Sequence, residues 1–250
     1  MWTPKKNKDL TVQFITTVPG LELIEECRPR PAKEFIPEWW KSYPPFEKDE
    51  MNSIYPKVRT VKTCPSFPDY FSRGYVVPAW ADMTIQYNEE LEMWNWRVGQ
   101  EVGGNVFNGI TPHSNPQFVS GAKPKSMGID GTFVFKLLCP WKVITAKNVS
   151  ILQLPMFYSF NPDWTALPGI IDTHINSEIN QQLLYHANGK EVFIPRGTPI
   201  AQYIPIPTKY LYELEVRKET QEDKTLFDYQ FMAITSKFFG GYRKLKKLED

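Results

Sequence analysis

Three side chains in the second half of the chain are of the types that a mononuclear iron site uses: Asp172, His174 and His186. Non-haem iron is bound by two histidines and one carboxylate. Asp172 and His174 are two residues apart, so they point to the same side if the segment is a strand, and His186 falls on the next predicted strand. The usual His-x-Asp order is absent. We therefore interpret these histidines as surface or turn residues, and we predict no metal site and no cofactor.

Two strand–glycine blocks position Asp172 and the residues that follow it. The first, "LPGIIDTHINSEI", runs over residues 167–179, and the second, "IPRGTPIAQYIPI", runs over residues 194–206. In each block a strand meets a glycine, and the first block places Asp172 just past the turn. Gly169 and Gly197 are predicted to provide backbone geometry or close packing that a side chain would block.

The composition favours a β-rich chain. There are 22 prolines among 250 residues, and aromatic residues make up 14 %. Because prolines end helices and occur at turns and strand edges, short strands and long ordered loops are predicted. From residue 132 one predicted strand follows another, and the clearest hairpin is "MTIQYNEELEMWNWRVG" at residues 83–99. Only residues 218–239 contain a long helical pattern. The predicted class is mainly β (α+β).

The predicted domain organisation has three parts. Residues 1–131 form a β- and loop-rich N-terminal elaboration, residues 132–215 form the core, and residues 216–250 form a helix with a basic tail. Within the first part, residues 99–131 are rich in Gly, Asn, Pro and Ser. A loop of that length is usually functional or an interface arm.

The two blocks resemble the dUTPase and dCTP deaminase superfamily, whose fold is called the β-clip, over residues 140–210. That family's third motif reads Gly-Val-Ile-Asp-x-x-Tyr-x-Gly-Glu-Ile, and its fourth reads Gly-x-x-Ile-Ala-Gln. The positions that match are Gly169, Ile170, Ile171, Asp172, Glu178, Ile179, Gly197, Ile200, Ala201 and Gln202. The resemblance implies that Asp172 orients an attacking water molecule. It makes Asp172, His174, Glu178 and Gln202 the candidate ligand-binding residues.

The chain departs from the family pattern where substrate is bound. The tyrosine that stacks on deoxyribose is replaced by Ile175, and the following glycine by Ser177. The family's Arg-Ser phosphate turn should lie near "LPMFYSF" at residues 154–160, where Pro155, Met156 and Phe157 offer neither a guanidinium nor a hydroxyl to hold a phosphate. The glutamate base of the deaminases falls at about Gln182, which cannot take a proton. The fold shared with the family can be retained without catalytic activity, because the aliphatic residues of the two motifs are predicted to pack the core: Ile170, Ile171, Ile200 and Ala201.

Charge and cysteine content limit the remaining function classes. The formal net charge is +1, so no global basic field favours nucleic acid. No run approaches 18 apolar residues, so no membrane span is predicted. The three cysteines form no C-x-x-C pair, which argues against a zinc site and fits a reducing compartment.

Two tryptophan pairs are candidate interface residues: Trp39 with Trp40, and Trp94 with Trp96. Adjacent tryptophans usually cap a core or fill an interface, although they can also stack on a sugar or base. The motif "FIPEWWK", with "TVKTCPSFPDYFSRGYVVP" and the two blocks, also resembles a family of proteins from tailed phages, particularly marine ones, and from some bacteria. That resemblance implies a phage protein in the host cytoplasm or in the virion.

Two function hypotheses follow. The first is a non-enzymatic β-clip protein that binds or assembles with itself, as a homo-oligomer such as the family's usual trimer, or with other phage or host proteins. The second is a nucleotide-binding or nucleotide-processing enzyme on the same fold, with Asp172 as the water-orienting base and a small-molecule ligand. The missing phosphate turn and tyrosine favour the first.

Overall fold

The computed structural model describes residues 11–48, 57–88, 90–91, 93–99, 109–112, 133–186, 189–208 and 215–235. Within these ranges the chain is mainly β, with three α-helices and several short 3-10 turns. Every strand pair in them is antiparallel. The predicted mainly β class is therefore confirmed.

The strands form three sheets and two separate pairs. The five-stranded sheet has the order β13 (Gly169–Ile171), β11 (Val149–Pro155), β16 (Pro199–Pro207), β5 (Tyr75–Pro78) and β2 (Arg30–Pro31). The four-stranded sheet has the order β12 (Trp164–Ala166), β14 (Gln181–Tyr185), β9 (Phe133–Leu137) and β8 (Ile110–Pro112). The three-stranded sheet has the order β15 (Val192–Ile194), β6 (Met83–Asn88) and β7 (Met93–Val98). The two pairs are β1 (Gln13–Thr16) with β10 (Trp141–Ile144), and β3 (Phe46–Lys48) with β4 (Lys57–Arg59).

The helices are α1 (Glu38–Ser42), α2 (Ser66–Ser72) and α3 (Gln221–Thr235). A capping box starts α3, because the Thr220 N–H donates to Asp223 Oδ2 at 2.7 Å and the Asp223 N–H donates to Thr220 Oγ1 at 3.3 Å. This helix lies within residues 218–239, as predicted. None of the helices in the described part of the chain has the length and apolar character needed to cross a bilayer.

One cluster of buried side chains joins the three sheets and the β1–β10 pair. Alternating side chains of the strands contribute to this cluster. In β6, for example, Met83, Ile85 and Tyr87 are buried, whereas the residues between them are half-buried. β5 and β6 precede residue 131, yet they pair with β16 and β15, which follow it. The domain boundaries at residues 131 and 215 stay predictions.

Two predictions about the opening blocks need correction. Gly197 has φ +83°, a backbone conformation that favours glycine, as predicted. Gly169 has no positive φ, and a Cβ added there would meet no atom within 4 Å, so its glycine is not required. Ile200 and Ala201 are fully buried and Ile171 packs against the core, whereas Ile170 is 66 % exposed. The reason for both errors is that β13, which carries Gly169 and Ile170, is the edge strand of its sheet.

Candidate functional site

The segment after β11 forms a 3-10 turn with its cap at residues 157–160, hereafter the 157–160 turn. Tyr158 anchors it: the Trp39 indole N–H donates to the Tyr158 carbonyl at 2.8 Å. The Tyr158 ring packs against Phe67, Tyr70 and Phe71 of α2, with ring centroids 4.9, 5.4 and 5.5 Å apart. Aromatic pairs at such separations contribute beyond the area that they bury. The turn is therefore held in one position by α1 and α2.

The side chains on either side of Tyr158 point outwards. Phe157 is 64 % exposed and Phe160 is 63 % exposed. Phe160 also has φ +51°, a left-handed conformation that costs a side-chain-bearing residue about 1–2 kcal/mol. Its ring lies 5.5 Å from that of Trp39, so α1 supports it from one side. Exposure and backbone strain thus coincide on one turn, a combination that is typical of binding sites.

A groove of about 230 Å³ separates the 155–160 segment from β12. Pro155, Phe157 and Phe160 line one wall, and Thr165 and Ala166 line the other. β11 and β12 belong to different sheets, so no strand pairing closes the space between them. Its lining is mostly apolar, which suits an apolar side chain better than a phosphate.

His186 contacts Thr165, which lines the β12 wall of the groove. Its Nε2 atom lies 2.9 Å from the Thr165 hydroxyl, and the backbone N–H of His186 donates to the Asp163 carbonyl at 2.9 Å. Burial lowers the pKa of His186 from its ordinary value of 6.5, and the charge of Asp163 opposes this only in part. The folded protein therefore favours the neutral imidazole.

We expect stability to fall as the pH falls through about 6.5, because the unfolded chain then takes up a proton on His186 before the folded chain does. Above that pH, the stability that the neutral His186 contributes is fully present. As the pH falls further, this stability is lost progressively until the pH reaches the lower pKa of His186 in the folded protein. Urea unfolding of the wild type and His186→Gln between about pH 7.5 and about pH 5 measures this. The substitution should flatten the slope of unfolding free energy against pH, and equal slopes would disprove the assignment.

Asp172 lies on the exposed turn that follows β13. The hydroxyl of the buried Ser150 donates to Asp172 Oδ1 at 2.6 Å and also lies 3.0 Å from the Thr208 hydroxyl. The N–H groups of Ile175 and Asn176 donate to the main-chain oxygen of Asp172. Its carboxylate is thus oriented by a buried serine on the neighbouring strand.

The other predicted ligand-binding residues have different roles. Glu178 is exposed and forms an ion pair with Lys142, with Oε1 and Nζ 2.5 Å apart; this hydrogen bond lowers the pKa of Glu178. His174 is half-buried on the same turn as Asp172. Gln202 is buried, and its amide donates to the carbonyls of Tyr70 at 3.0 Å and Arg73 at 2.7 Å. Gln202 therefore fastens the end of α2 to β16.

The structure does not bring the predicted site residues into one pocket. Asp172 lies opposite Ser150 at the start of β11, whereas the predicted phosphate turn lies beyond Pro155, about 17 Å further along that strand. His186, at the end of β14, lies next to β12 and away from the turn that carries His174. No group of three or more His, Cys, Asp or Glu in the described ranges could hold a metal ion.

The tryptophan pairs pack within the chain. Trp40 is buried and stacks on Phe67 with ring centroids 5.1 Å apart. Trp94 contacts Tyr87, Phe135 and Tyr185, and Trp96 lies against the same core. Their role as interface residues stays a prediction.

The three cysteines are free thiols in different environments. Burial raises the pKa of Cys27 to about 11 and that of Cys139 to about 12. Cys64 is half-exposed at the start of α2, and its Sγ lies 2.9 Å from the Ser66 hydroxyl, which lowers the pKa of its thiol.

The chain matches no protein-family model and no curated protein. The assignment of a site therefore depends on geometry alone. By that measure the strongest candidate is the 157–160 turn with its groove. Its sequence signal is two phenylalanines between a strand and Asn161-Pro162, whereas the family resemblance bears on this stretch only through the missing phosphate ligands.

Proposed function

We propose that this chain is a non-enzymatic binding or assembly protein, encoded by a phage and built on a β-clip-like fold, which contacts its partner through the 157–160 turn. The observation that carries this proposal is the pair of phenylalanines, Phe157 and Phe160, both more than 60 % exposed on a turn that Tyr158 fixes.

The energetics of such a turn favour association. Burying one exposed phenylalanine contributes roughly 1.5–3 kcal/mol. The turn itself would lose little conformational entropy on binding, because it already contacts the Trp39 indole and the α2 rings. Rigid aromatic side chains with a neighbouring groove are the usual composition of interface hot spots.

The partners proposed are a second copy of this chain or another phage or host protein, in the host cytoplasm or in the virion. The resemblance to the dUTPase superfamily supports a homo-oligomer, since that fold usually assembles. Detection of the chain by mass spectrometry in purified phage particles would separate a virion component from a protein that acts in the host.

The test of the contact surface is site-specific photo-crosslinking. With p-benzoylphenylalanine in place of Phe157 we expect one major crosslinked product, because the partner must cover this side chain. The matched control places the same group at Leu23, which is 79 % exposed in the 3-10 turn Leu21–Leu23. A product of equal yield from both positions, or from neither, contradicts the proposal.

The alternative is a nucleotide-processing enzyme, and the carboxylate that Ser150 orients at Asp172 favours it. We nevertheless expect no hydrolysis of dUTP above background. Triphosphate chemistry needs positioned cations or donors on the phosphates as well as an oriented water molecule. Each lost donor costs about 2.7–4 kcal/mol in comparable sites, so the loss of several reduces turnover to background.

The measurement is pyrophosphate release from dUTP with magnesium, for the wild type, Asp172→Asn and Ser150→Ala. We expect all three to equal the protein-free control. Release well above that control that disappears in Asp172→Asn would make the enzymatic alternative the leading one.

A further inference from the structure

A group of polar side chains is buried where the five-stranded and four-stranded sheets meet. Gln153 of β11 and Tyr203 of β16 belong to the first sheet, and Gln181 of β14 belongs to the second. Gln181 and Tyr203 are fully buried, and Gln153 is 3 % exposed. These three residues and the buried Cys139 are hereafter the polar seam. Buried polar groups nearly always have hydrogen-bond partners, because an unpaired amide in an apolar interior is costly.

The two groups of the five-stranded sheet are paired with each other. Gln153 lies directly opposite Tyr203, and the Tyr203 hydroxyl donates to Gln153 Oε1 at 2.9 Å. Gln153 Nε2 donates in turn to the Leu167 carbonyl at 2.7 Å. A phenol has one proton to donate, and Gln153 takes it, whereas the Ile179 carbonyl lies further from the hydroxyl, at 3.5 Å. Tyr203 therefore still offers the acceptor side of its hydroxyl oxygen.

Gln181 differs, because both polar atoms of its amide are buried and make no hydrogen bond within the described part of the chain. Cys139 lies nearby, since its N–H donates to the Asn180 side chain at 3.0 Å. Burial raises the pKa of the Cys139 thiol to about 12 and that of Tyr203 well above its usual value, and the Gln181 amide opposes both shifts in part. The amide is thus close to both groups but not directly bonded to either. Such a gap between polar groups is where a bridging water is expected.

The chemistry of the seam restricts what can fill this gap. Because burial keeps the Cys139 thiol and the Tyr203 phenol protonated, all four side chains are uncharged at neutral pH. An ion bound there would have no opposite charge to balance it, and burying an unpaired charge is far more costly than burying a neutral group. The ligand must be small and neutral, and it must both donate and accept hydrogen bonds. Water meets these requirements.

We propose that the polar seam is a binding site for one internal water molecule, which bridges Gln181 to Tyr203 and so joins the two sheets. The water accepts an N–H of Gln181, and it donates to the hydroxyl oxygen of Tyr203 and to the Ile179 carbonyl. These are about three hydrogen bonds, the number that a buried water usually makes. Gln181 Oε1 then faces the Cys139 thiol, which is a weak donor.

High-resolution crystal structures of the wild type, Gln181→Met and Gln182→Met test this site. In the wild type we expect one ordered water about 2.7–3.2 Å from both Gln181 Nε2 and the Tyr203 hydroxyl oxygen. Gln181→Met replaces the amide by an apolar side chain and should lose this water. Gln182→Met is the matched control, because Gln182 is half-exposed and alternates with Gln181 on β14, so the water should stay.

In solution, the same water should give a nuclear Overhauser cross-peak to the side-chain amide protons of Gln181, which are otherwise buried. This measurement uses the wild type, so it tests the site even if Gln181→Met does not fold. A Gln181 amide bonded directly to Tyr203 or Cys139 with no water between them would overturn the proposal. So would the absence of the cross-peak, or a water that keeps its position in Gln181→Met.

Discussion

Gly74→Ala is expected to lower the free energy of unfolding by about 2–5 kcal/mol, a large share of the 5–15 kcal/mol of a typical domain. Gly74 has φ +68°, and an added Cβ would lie 2.1 Å from the carbonyl oxygen of Tyr203. That oxygen belongs to the backbone of β16, which cannot move without breaking its pairing with β5 and β11. Both the left-handed backbone and the steric overlap therefore destabilise the variant.

Gly20→Ala is the matched control, because Gly20 has φ +83° but nothing within 4 Å of an added Cβ. It should cost about 1–2 kcal/mol, from the backbone conformation alone. Urea unfolding monitored by tryptophan fluorescence measures both variants. A loss for Gly74→Ala no larger than that for Gly20→Ala would show that the close approach of β16 to Gly74 is wrong.

Gln202→Leu is the second substitution with a large expected effect. It removes two hydrogen bonds and leaves the carbonyls of Tyr70 and Arg73 without the donor that they now share. Both hydrogen bonds are part-buried and Arg73 is exposed, so each contributes the usual net value of about 0.5–1.5 kcal/mol, and we expect a total loss of roughly 1–3 kcal/mol. Because α2 also carries the rings that hold Tyr158, the 157–160 turn should loosen and the Phe157 crosslink should weaken.

Gln182→Leu is the control for this substitution, since Gln182 is half-exposed on β14. Its unfolding free energy should stay within about 0.5 kcal/mol of the wild type, as is usual for surface changes. Unfolding curves and crosslink yields are measured for both variants. If Gln202→Leu is as stable as Gln182→Leu, the role of Gln202 in fastening α2 is disproved.

Periodicity in the sequence was enough to predict the β-rich class, the 83–98 hairpin and the C-terminal helix, because each depends on local alternation or helical spacing. The same reasoning treated Ile170 as core, since an aliphatic residue beside a glycine cannot be assigned to an edge or a centre without knowing the strand order. Gln202 looked like a ligand-binding residue because it completes a family motif. Its partners, the Tyr70 and Arg73 carbonyls, are about 130 residues away in sequence and could not be inferred.

The candidate site could be predicted even less. No feature of the neighbouring sequence distinguishes Phe157 and Phe160 from core phenylalanines. Their exposure accompanies a tertiary contact, in which the ring of Tyr158 between them packs against α2. Asp172, predicted to lie just past a turn, directly follows β13 and precedes the turn at residues 173–175. Its distance from the 155–160 segment depends on which residues of β11 face β13, and that register is a tertiary property.

The contrast between the three thiols makes the unmodified protein suitable for fluorescence work. A maleimide dye reacts with thiolates, so it should attach at Cys64 and spare the buried Cys27 and Cys139. Cys64 is three residues before Phe67, whose ring packs directly on Tyr158. An environment-sensitive dye at that position would thus report on changes at the 157–160 turn in real time, without any change to the sequence.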